Sequence, residues 1–486
     1  MKSELYIDGK WTAGTGSETI TVINPATEVA IGTVPQASVA DVREAIRAAR
    51  TAFDEGPWPR MSPQERSRVL TAMGEIMQRR RAELVDLNIV ETGSTRLLAD
   101  FLQIGIPIDV WMDTATRVLP RYEFETPVSP NVIPGLGIGQ GIVARQPIGV
   151  ASLITPFNFP FLLNVFKVVS ALAAGCTTIL KPSPYTPYEA IVFAEIAEEA
   201  GLPAGVLNVV TGDIEASTVL TQDPMIDIVS FTGSDAVGRK VYGQAAPSLK
   251  KVILELGGKS ANIICADADL ERVLPSIIMN TVGHCGQGCA ILSRTLVHQS
   301  IHDDVVNAVT AAMSFVTIGD PADSTVMMGP LIREQQRTRV EGLIRDAVDD
   351  GAQLVFGGGR PPGLDKGFFV QPTVFTGVRN DMRIAREEIF GPVNVIIPFA
   401  DDDEAVRIAN DSDYGLGGGV WSTDTVRALN IARRLHTGGV HINGGGVGLS
   451  PHVPFGGYKN SGLGREWGTW GMEEYLQHKS IEWSAR

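Results

Sequence analysis

The sequence has little cysteine for its length, with 4 residues in 486. That number is too small for a disulfide scaffold, so we expect a reducing compartment and a cytoplasmic protein. Positive charge is also in deficit, with 41 Lys and Arg against 55 Asp and Glu and a net charge of -14. This acidic balance argues against a nucleic-acid partner or an anionic membrane, although it is compatible with a local basic pocket.

Long apolar runs are missing as well. The amino terminus has no apolar signal-peptide core and no later stretch is long enough to span a bilayer, so we expect no membrane partner. There is no internal repeat, no G-x-G-x-x-G fingerprint and no His, Cys or Asp cluster with metal-ligand spacing. These absences predict a soluble, metal-free chain, and its length is sufficient for two or three domains.

The pattern that is present is an alternation of strands and helices. Residues 5–11 predict a hairpin with its turn at Asp8-Gly9, and two capping boxes, starting at Ser38 and Ser62, predict helices. Apolar strands are predicted at 150–154, 177–180, 206–210, 226–231 and 252–254. Helices at 159–174 and 187–200 separate the first of these strands, which predicts a mostly parallel sheet covered on both faces.

Ligands bind such sheets at the carboxyl ends of the strands, and the residues found there suit a nucleotide. Backbone N–H groups after Gly233 could hold a pyrophosphate at a helix N-terminus, and Lys181 could reach a ribose or a phosphate. The alternative is that these glycines only close turns.

Cys289 follows an apolar segment, 274–282, and lies on a short Gly-Gln-Gly turn. A thiol on such a turn can be approached closely by a substrate, as a nucleophile requires. The alternative is a cysteine that only packs, since cysteine is among the most buried residue types. Cys285 is open to two interpretations, a resolving thiol or a packing residue, of which packing is preferred.

Seven motifs together resemble a known family. They are Phe-Asn-Phe-Pro at 157–160, Lys-Pro-Ser at 181–183, Phe-Thr-Gly-Ser at 231–234, Glu-Leu-Gly-Gly-Lys at 255–259, Gly-Gln-Gly-Cys at 286–289, Glu-Ile-Phe-Gly-Pro at 388–392 and Pro-Phe-Gly-Gly at 454–457. From about residue 5 to residue 481 the chain resembles the NAD(P)-dependent aldehyde dehydrogenase superfamily. The resemblance implies an α/β fold with a Rossmann-type cofactor domain, an α/β catalytic domain and a small oligomerisation arm.

The resemblance also implies roles for residues. Cys289 would attack the aldehyde, and its backbone N–H would join the Asn158 amide in an oxyanion hole. Glu255 would activate water for thioester hydrolysis, and Lys167 would lie behind the site as a relay or as a snorkelling lysine. The implied cofactor contacts are Thr155, Pro156, Phe157, Lys181, Ser183, Gly212, Gly233, Ser234, Leu256, Glu388 and Phe390.

One position departs from the family pattern. Many NAD-preferring members have a glutamate after Lys-Pro-Ser, where this chain has Pro184. Without that carboxylate a 2′-phosphate meets no like charge, so the expected cofactor is NAD or NADP, with NAD preferred.

The expected domains are a cofactor-binding domain at 5–120 and 143–256, a catalytic domain at 257–455, and an arm at 121–142 and 470–486 that pairs subunits into a homodimer or homotetramer. The substrate pocket is predicted at Phe159, Leu163, Phe166, Gly288, Ala290 and Phe455, with residues 447–453 at its mouth. These residues are mostly apolar, which predicts a small apolar, aromatic or medium-chain aldehyde as partner. A CoA-acylating enzyme and a non-catalytic binding protein are the alternatives.

Overall fold

The computed structural model describes residues 2–134, 137–445 and 450–485. Its strands are, in chain order, Leu5–Ile7 (β1), Lys10–Thr12 (β2), Thr19–Ile23 (β3), Ala30–Pro35 (β4), Glu125–Pro127 (β5), Asn131–Ile133 (β6), Gly137–Pro147 (β7), Val150–Ile154 (β8), Thr177–Lys181 (β9), Leu207–Val209 (β10), Ile228–Thr232 (β11), Lys251–Glu255 (β12), Ala261–Ile264 (β13), Arg294–His298 (β14), Gln353–Phe356 (β15), Thr373–Thr376 (β16), Val393–Phe399 (β17), Tyr414–Gly415 (β18), Gly418–Trp421 (β19), His441–Ile442 (β20), Tyr458–Lys459 (β21), Gly462–Leu463 (β22) and Leu476–Ala485 (β23).

The α-helices are Val39–Asp54 (α1), Pro63–Arg79 (α2), Arg81–Thr92 (α3), Arg96–Leu98 (α4), Ile106–Asp113 (α5), Leu119–Arg121 (α6), Pro160–Ala174 (α7), Tyr188–Glu199 (α8), Ile214–Gln222 (α9), Asp235–Ala245 (α10), Leu270–Val282 (α11), His302–Met313 (α12), Glu334–Asp349 (α13), Arg383–Arg386 (α14), Asp402–Asn410 (α15), Thr425–Ala432 (α16) and Gly468–Glu473 (α17). Two π-helical segments, Ala99–Gly105 and Thr114–Val118, join α4 to α5 and α5 to α6. Short 3-10 turns occur at Trp58–Arg60, Ala246–Ser248, Gly283–Gly286 and Gln299–Ile301.

The first large sheet has the strand order β2-β1-β10-β9-β8-β11-β12-β22. Its five central strands are parallel, and β1 and β22 pair antiparallel at either side. The chain therefore winds outward in both directions from β8, and the crevice between the carboxyl ends of β8 and β11 is where such sheets bind nucleotides. The predicted strands and the parallel sheet are confirmed, with ends that differ by one or two residues.

The second large sheet has the order β15-β16-β17-β14-β13-β19-β20 and is parallel except for β15. It has its own apolar core, whereas the helices of residues 63–121 share a core with the first sheet. This packing agrees with the predicted grouping of 5–120 with 143–256, but the domain boundaries stay a prediction. Residues 462–463 return to the first sheet as β22.

The predicted arm segments form one separate sheet in which β7 pairs with β5, β6 and β23. The sheet differs from the prediction at two places. Strand β7 continues to Pro147, beyond the predicted end at 142, because β23 pairs with it along ten residues up to that point. Residues 468–473 form helix α17, which packs against α7 instead of joining the arm.

Local sequence signals explain the starts of the helices and of the hairpin. Ser38 and Ser62 both form complete capping boxes, with Asp41 and Glu65 as the reciprocal partners. The hairpin turns at Asp8 and Gly9, whose φ angles are 52° and 71°, as its turn type requires. Among the helices described here, none combines the length and apolar character needed to cross a membrane.

Candidate active site

The loop that carries Cys289 begins where α11 ends. Three successive residues, His284, Cys285 and Gly286, have φ angles of 48°, 54° and 70°, so the backbone makes a left-handed turn that is strained at the first two. A Cβ at Gly286 would lie 2.1 Å from the carbonyl oxygen of Gly391, so no larger residue fits this turn. The turn brings Cys289 back towards the carboxyl end of the first sheet.

The Cys289 backbone packs directly on the segment after β12, because a Cβ at Gly258 would lie 2.3 Å from the Cys289 carbonyl oxygen. Its side chain is partly exposed, unlike that of Cys285, which is fully buried. Burial raises the pKa of the Cys289 thiol to about 12, and the negative charges of Glu388 and Glu255 add to that increase. The fraction of Cys289 that is ionised to the thiolate therefore increases with pH.

Asn158 lies in the loop between β8 and α7 and is held at both of its ends. Its side-chain Nδ2 donates to the carbonyl oxygen of Gln287 at 2.9 Å, and its own carbonyl oxygen accepts from Gln103 Nε2 at 3.0 Å. Because a primary amide has two N–H groups, the bond to Gln287 leaves the second N–H for another acceptor beside the Cys289 loop.

Glu255 ends β12, next to Thr232 of β11. It is 2% exposed, and neither of its carboxylate oxygens has a hydrogen-bond partner among the described residues. Burial raises the pKa of Glu255 well above its usual range, and the negative charge of Glu466 adds to this effect while Lys167 opposes it. Buried polar groups are normally hydrogen-bonded, so we expect a ligand, a water molecule or a substrate group to bind this carboxylate.

Lys167 is fully buried on α7, and its Nζ donates to Glu466 Oε1 at 2.5 Å and to Ser230 Oγ at 2.8 Å. Glu466 is 3% exposed, and because its negative charge raises the pKa of Glu255, this ion pair lies close to the candidate base. The sequence analysis missed Glu466, since a single glutamate 211 positions after Glu255 carries no local signal of this contact.

The residues predicted to contact a cofactor lie around the crevice of the first sheet. Lys181 Nζ donates to the carbonyl oxygens of Pro182 and Gly212, at 2.6 and 2.9 Å, and burial lowers its pKa to about 8. Ser234 caps α10 with its hydroxyl, so the following N–H groups form a helix N-terminus next to Gly233. A buried lysine that donates to backbone carbonyl oxygens and a capped helix start suit a nucleotide with hydroxyl and phosphate groups.

Other predicted contacts occupy neighbouring positions in the loops that follow the strands. Thr155 Oγ1 donates to Asn164 Oδ1 at 2.8 Å, Ser183 Oγ accepts from the backbone N–H of Tyr185 at 3.2 Å, and Pro156 follows Thr155 in the loop after β8. Pro184, the position that departs from the family pattern, is partly exposed.

The second sheet contributes Glu388 and Phe390 to the same crevice. Glu388 Oε1 accepts from the Gly258 N–H at 3.0 Å, and a Cβ at Gly257 would lie 2.5 Å from Glu388 Oε2. Burial raises the pKa of Glu388 to about 7. Phe390 meets Phe157 edge to face, with ring centroids 5.8 Å apart, so the predicted contacts from both sheets converge. Leu256, in the same turn, packs over Gly238.

The predicted substrate pocket is an aromatic cluster. Phe455 stacks on Trp467 at 4.7 Å between ring centroids, and Phe166 meets the same indole at 4.8 Å. Phe159 contacts the ring of His284 at 5.2 Å and lies 3.8 Å from where a Cβ at Gly288 would be. Leu163 is buried beside them, and Ala290 is partly exposed next to Cys289.

Two residues of this cluster, Trp467 and His284, were not predicted. Trp467 adopts a φ of 80°, unusual for a bulky residue, and this turns its indole onto Phe455. Burial lowers the pKa of His284 to about 4, so its ring is neutral. Residues 447–449 of the predicted pocket mouth lie outside the described residues.

Metal ligands form no cluster within the described ranges of the chain. The structure brings a partly exposed thiol, an amide donor and a buried carboxylate together at the edge of the crevice. This set of groups is what an enzyme that uses a thiol nucleophile beside a bound nucleotide would need.

Known proteins agree with this class. The profile of the Aldehyde dehydrogenase family matches residues 11–481. The crystal structure of a Mycobacterium tuberculosis aldehyde dehydrogenase complexed with NAD+ is 45% identical in sequence, with a TM-score of 0.95 over 99% of this chain and 97% of that one. The structure of an aldehyde dehydrogenase C mutant from Pseudomonas syringae with NAD+ and octanal is 40% identical, with a TM-score of 0.94 over 99% and 96%.

A relative known from its sequence, 3-succinoylsemialdehyde-pyridine dehydrogenase of a Pseudomonas species, is 42% identical over 98% of each chain. The chain belongs to the aldehyde dehydrogenase family. The predictions of the family, its α/β fold and an enzyme that oxidises aldehydes with a nicotinamide cofactor are thereby confirmed. The roles of individual residues stay predictions.

Proposed function

We propose that this enzyme oxidises apolar or aromatic aldehydes to free carboxylic acids, with Cys289 as nucleophile and water as the final acyl acceptor. The observation that carries the proposal is Glu255, a carboxylate that is 2% exposed, has no hydrogen-bond partner among the residues the structure describes, and acts through its charge on the Cys289 thiol. A buried carboxylate with a raised pKa is suited to removing a proton from water.

The reaction starts when the Cys289 thiolate forms a C–S bond to the carbonyl carbon. The resulting oxyanion is stabilised by the free N–H of the Asn158 amide and by the Cys289 backbone N–H. NAD(P)+, when bound, would supply the acceptor for the hydride that leaves the substrate carbon, and the acyl group would then remain on Cys289 as a thioester. Glu255 then takes a proton from water, the hydroxide attacks the thioester carbon, and the C–S bond breaks to return the Cys289 thiol.

Lys181, Ser234 and Glu388 are the residues that would hold the cofactor. Lys181 would exchange carbonyl partners for ribose hydroxyls, and the start of α10 would bind the pyrophosphate. Solved relatives complexed with NAD+ support NAD as the cofactor, while Pro184 leaves no carboxylate to exclude the 2′-phosphate of NADP.

The pocket supports the substrate class. The predicted pocket is built around the packed rings of Phe159, Phe166, Phe455 and Trp467, so a substrate bound beside them would meet apolar surface, and the neutral ring of His284 adds no charge. Two relatives agree with this chemistry: octanal, which is apolar, is bound in the structure of one, and the name of the other refers to a pyridine-bearing semialdehyde, which is aromatic.

The arm supports a homodimer or a homotetramer. Its sheet exposes several large apolar side chains, including Val132, Ile481 and Trp483, at 70%, 40% and 47% of their surface. Exposed apolar strands of this kind need cover, and a second subunit would supply it.

A CoA-acylating reaction is the second candidate, because the thioester on Cys289 could pass to a thiol instead of water. The test is production of NADH and NADPH from octanal, benzaldehyde and succinic semialdehyde, without and with CoA, by wild type and Cys289→Ala. We expect activity without CoA, highest for the first two aldehydes and absent from the variant. Activity only with CoA, or highest for the charged semialdehyde, would overturn the proposal.

A further inference from the structure

Gln103 lies outside every motif that defines the site, yet its side chain reaches the loop that carries Asn158. It is fully buried in the π-helical segment Ala99–Gly105. Its Nε2 donates to the Asn158 carbonyl oxygen at 3.0 Å, across 55 residues of sequence. We propose that Gln103 is a positioning residue that fixes the Asn158 amide in the orientation needed to bind the oxyanion.

The contact completes a clamp with two ends. Gln103 holds the backbone of Asn158, and the carbonyl oxygen of Gln287 holds its side chain at 2.9 Å. Gln287 is itself fixed, because its Oε1 accepts from the Ile332 N–H at 3.0 Å and its Nε2 donates to the His284 carbonyl oxygen at 3.1 Å. Because hydrogen bonds hold both the backbone and the side chain of Asn158, the remaining N–H of its amide points in one fixed direction.

The energetics of Gln103 favour a role in positioning over a role in packing. Its Oε1 is buried and has no hydrogen-bond partner in the described part of the chain. A buried, unsatisfied amide oxygen destabilises a fold, and an apolar side chain of the same length would avoid that penalty. Among the described residues, the bond to Asn158 is the one polar contact of the Gln103 side chain. This contact is therefore the one feature of the site that favours glutamine over an apolar residue here.

The π-helical backbone around Gln103 is consistent with a positioning role. The segment is wider than an α-helix and is often found at functional sites. It packs against α3, α5 and α7, and the last of these directly follows the Asn158 loop. Gln103 therefore extends from a rigid part of the molecule, as a positioning residue should.

The inference rests on the proposed function, and a double-mutant cycle tests it. The variants are Gln103→Met, which keeps length and loses the donor, Asn158→Ala, and both together. The readout is the rate constant of the NADH burst per active site, with KM for the aldehyde and Kd for NAD+ measured in parallel. Ser94→Ala, which removes from the preceding loop a buried hydroxyl with no partner in the described part of the chain, is the matched control.

We expect Gln103→Met to slow the burst about 10-fold, with KM and Kd changed less than about twofold, because the oxyanion donor is misplaced rather than lost. In the Asn158→Ala background the same change should have less than about a twofold effect. Independent, multiplicative losses would overturn the inference while leaving the proposed function intact. Failure of wild type and Asn158→Ala to differ would instead count against the proposed function.

Gln103→Glu gives a second test if the methionine variant folds poorly. A neutral carboxylic acid can donate to the Asn158 carbonyl oxygen, whereas a carboxylate can only accept and would repel it. The burst rate of this variant relative to wild type should therefore fall as pH increases, and Asn158→Ala should abolish that dependence. A constant ratio between pH 5 and pH 9 would contradict the positioning role.

Discussion

The two polar groups that flank Cys289 are held in opposite ways. Asn158 is tied by a hydrogen bond at its backbone and another at its side chain. Glu255 is just as buried, but neither carboxylate oxygen has a partner in the part of the chain described here. Asn158 bonds to the loop that carries Cys289, and the charge of Glu255 acts on the Cys289 thiol, so the difference is one that the roles we propose for them would require.

A group that stabilises developing charge works best when it is already in place, because no energy is then spent on reorganisation in the transition state. A general base has to exchange partners, since it first takes a proton and later returns it to solvent. The bonds at Asn158 and their absence at Glu255 therefore fit an oxyanion donor and a base. The following predictions test this contrast, starting with the largest effect.

Glu255→Gln removes the base and keeps the shape of the side chain. We expect one NADH per active site to form at a normal rate, while steady-state turnover falls roughly 10²- to 10⁴-fold. In wild type, turnover should increase with pH, because burial raises the Glu255 pKa and water attack needs the ionised carboxylate. Stopped-flow fluorescence measures both phases, and loss of the burst together with turnover would show that Glu255 acts before hydride transfer.

Asn158→Ala removes the side-chain amide that hydrogen bonds hold in place. Here the burst itself should slow by roughly 10²- to 10³-fold, because the oxyanion forms before hydride leaves. Affinity for NAD+ should stay within about twofold of wild type, since this amide is assigned to the oxyanion. The same stopped-flow assay applies, with a fluorescence titration of NAD+ as control. A normal burst in this variant would remove the proposed difference between the two groups.

Phe455→Leu changes the pocket wall without touching either group. Loss of the ring that stacks on Trp467 should lower kcat/KM for benzaldehyde about 5- to 10-fold, with little effect on acetaldehyde, which is too small to use the aromatic face. Initial rates with both aldehydes measure this effect. Equal losses for the two substrates would mean that Phe455 supports the reacting groups and not the substrate.

Glu189 provides a second buried carboxylate, one with no assigned role in the reaction, for comparison with Glu255. Burial raises its pKa to about 8, and its Oε1 accepts from Asn88 at 2.7 Å beside the equally buried Glu91. The folded state therefore keeps a proton that the unfolded chain loses at about pH 4.3, so stability falls as pH increases between that value and the folded pKa.

Glu189→Gln keeps an acceptor for the Asn88 amide and removes the loss of folding stability that occurs as pH increases. We expect Tm at pH 9 to increase by about 2–4 °C, with little change at pH 5 and unchanged turnover. Differential scanning calorimetry at the two pH values measures the shift. An equal shift at both values would show that the substitution acts through packing and not through the proton.

Local sequence signals predicted the parts of the molecule that short segments determine. The strands after residue 150, both capping boxes and the loops after β8, β9, β11 and β12 follow from apolar periodicity and turn residues. Strand ends in a parallel sheet meet at one edge, so Asn158, Lys181 and Glu255 could be grouped before any coordinates were known.

Long-range contacts could not be predicted in the same way. Glu466 meets Lys167 across 299 residues, and Gln103 meets Asn158 across 55. Neither Glu466 nor Gln103 belongs to any of the seven motifs. Trp467 reaches the pocket through a backbone conformation that tryptophan rarely adopts. Each of these contacts depends on how the two sheets and the helices of residues 63–121 pack together, which periodicity does not describe.

The most direct test of the account is intact-protein mass spectrometry of Glu255→Gln after mixing with octanal and NAD+. The account predicts one octanoyl group per subunit, bound to Cys289, appearing together with one NADH and released slowly by water. Formation of NADH without any adduct on Cys289 would contradict the thioester intermediate and, with it, the assignment of Glu255 as the base that hydrolyses it.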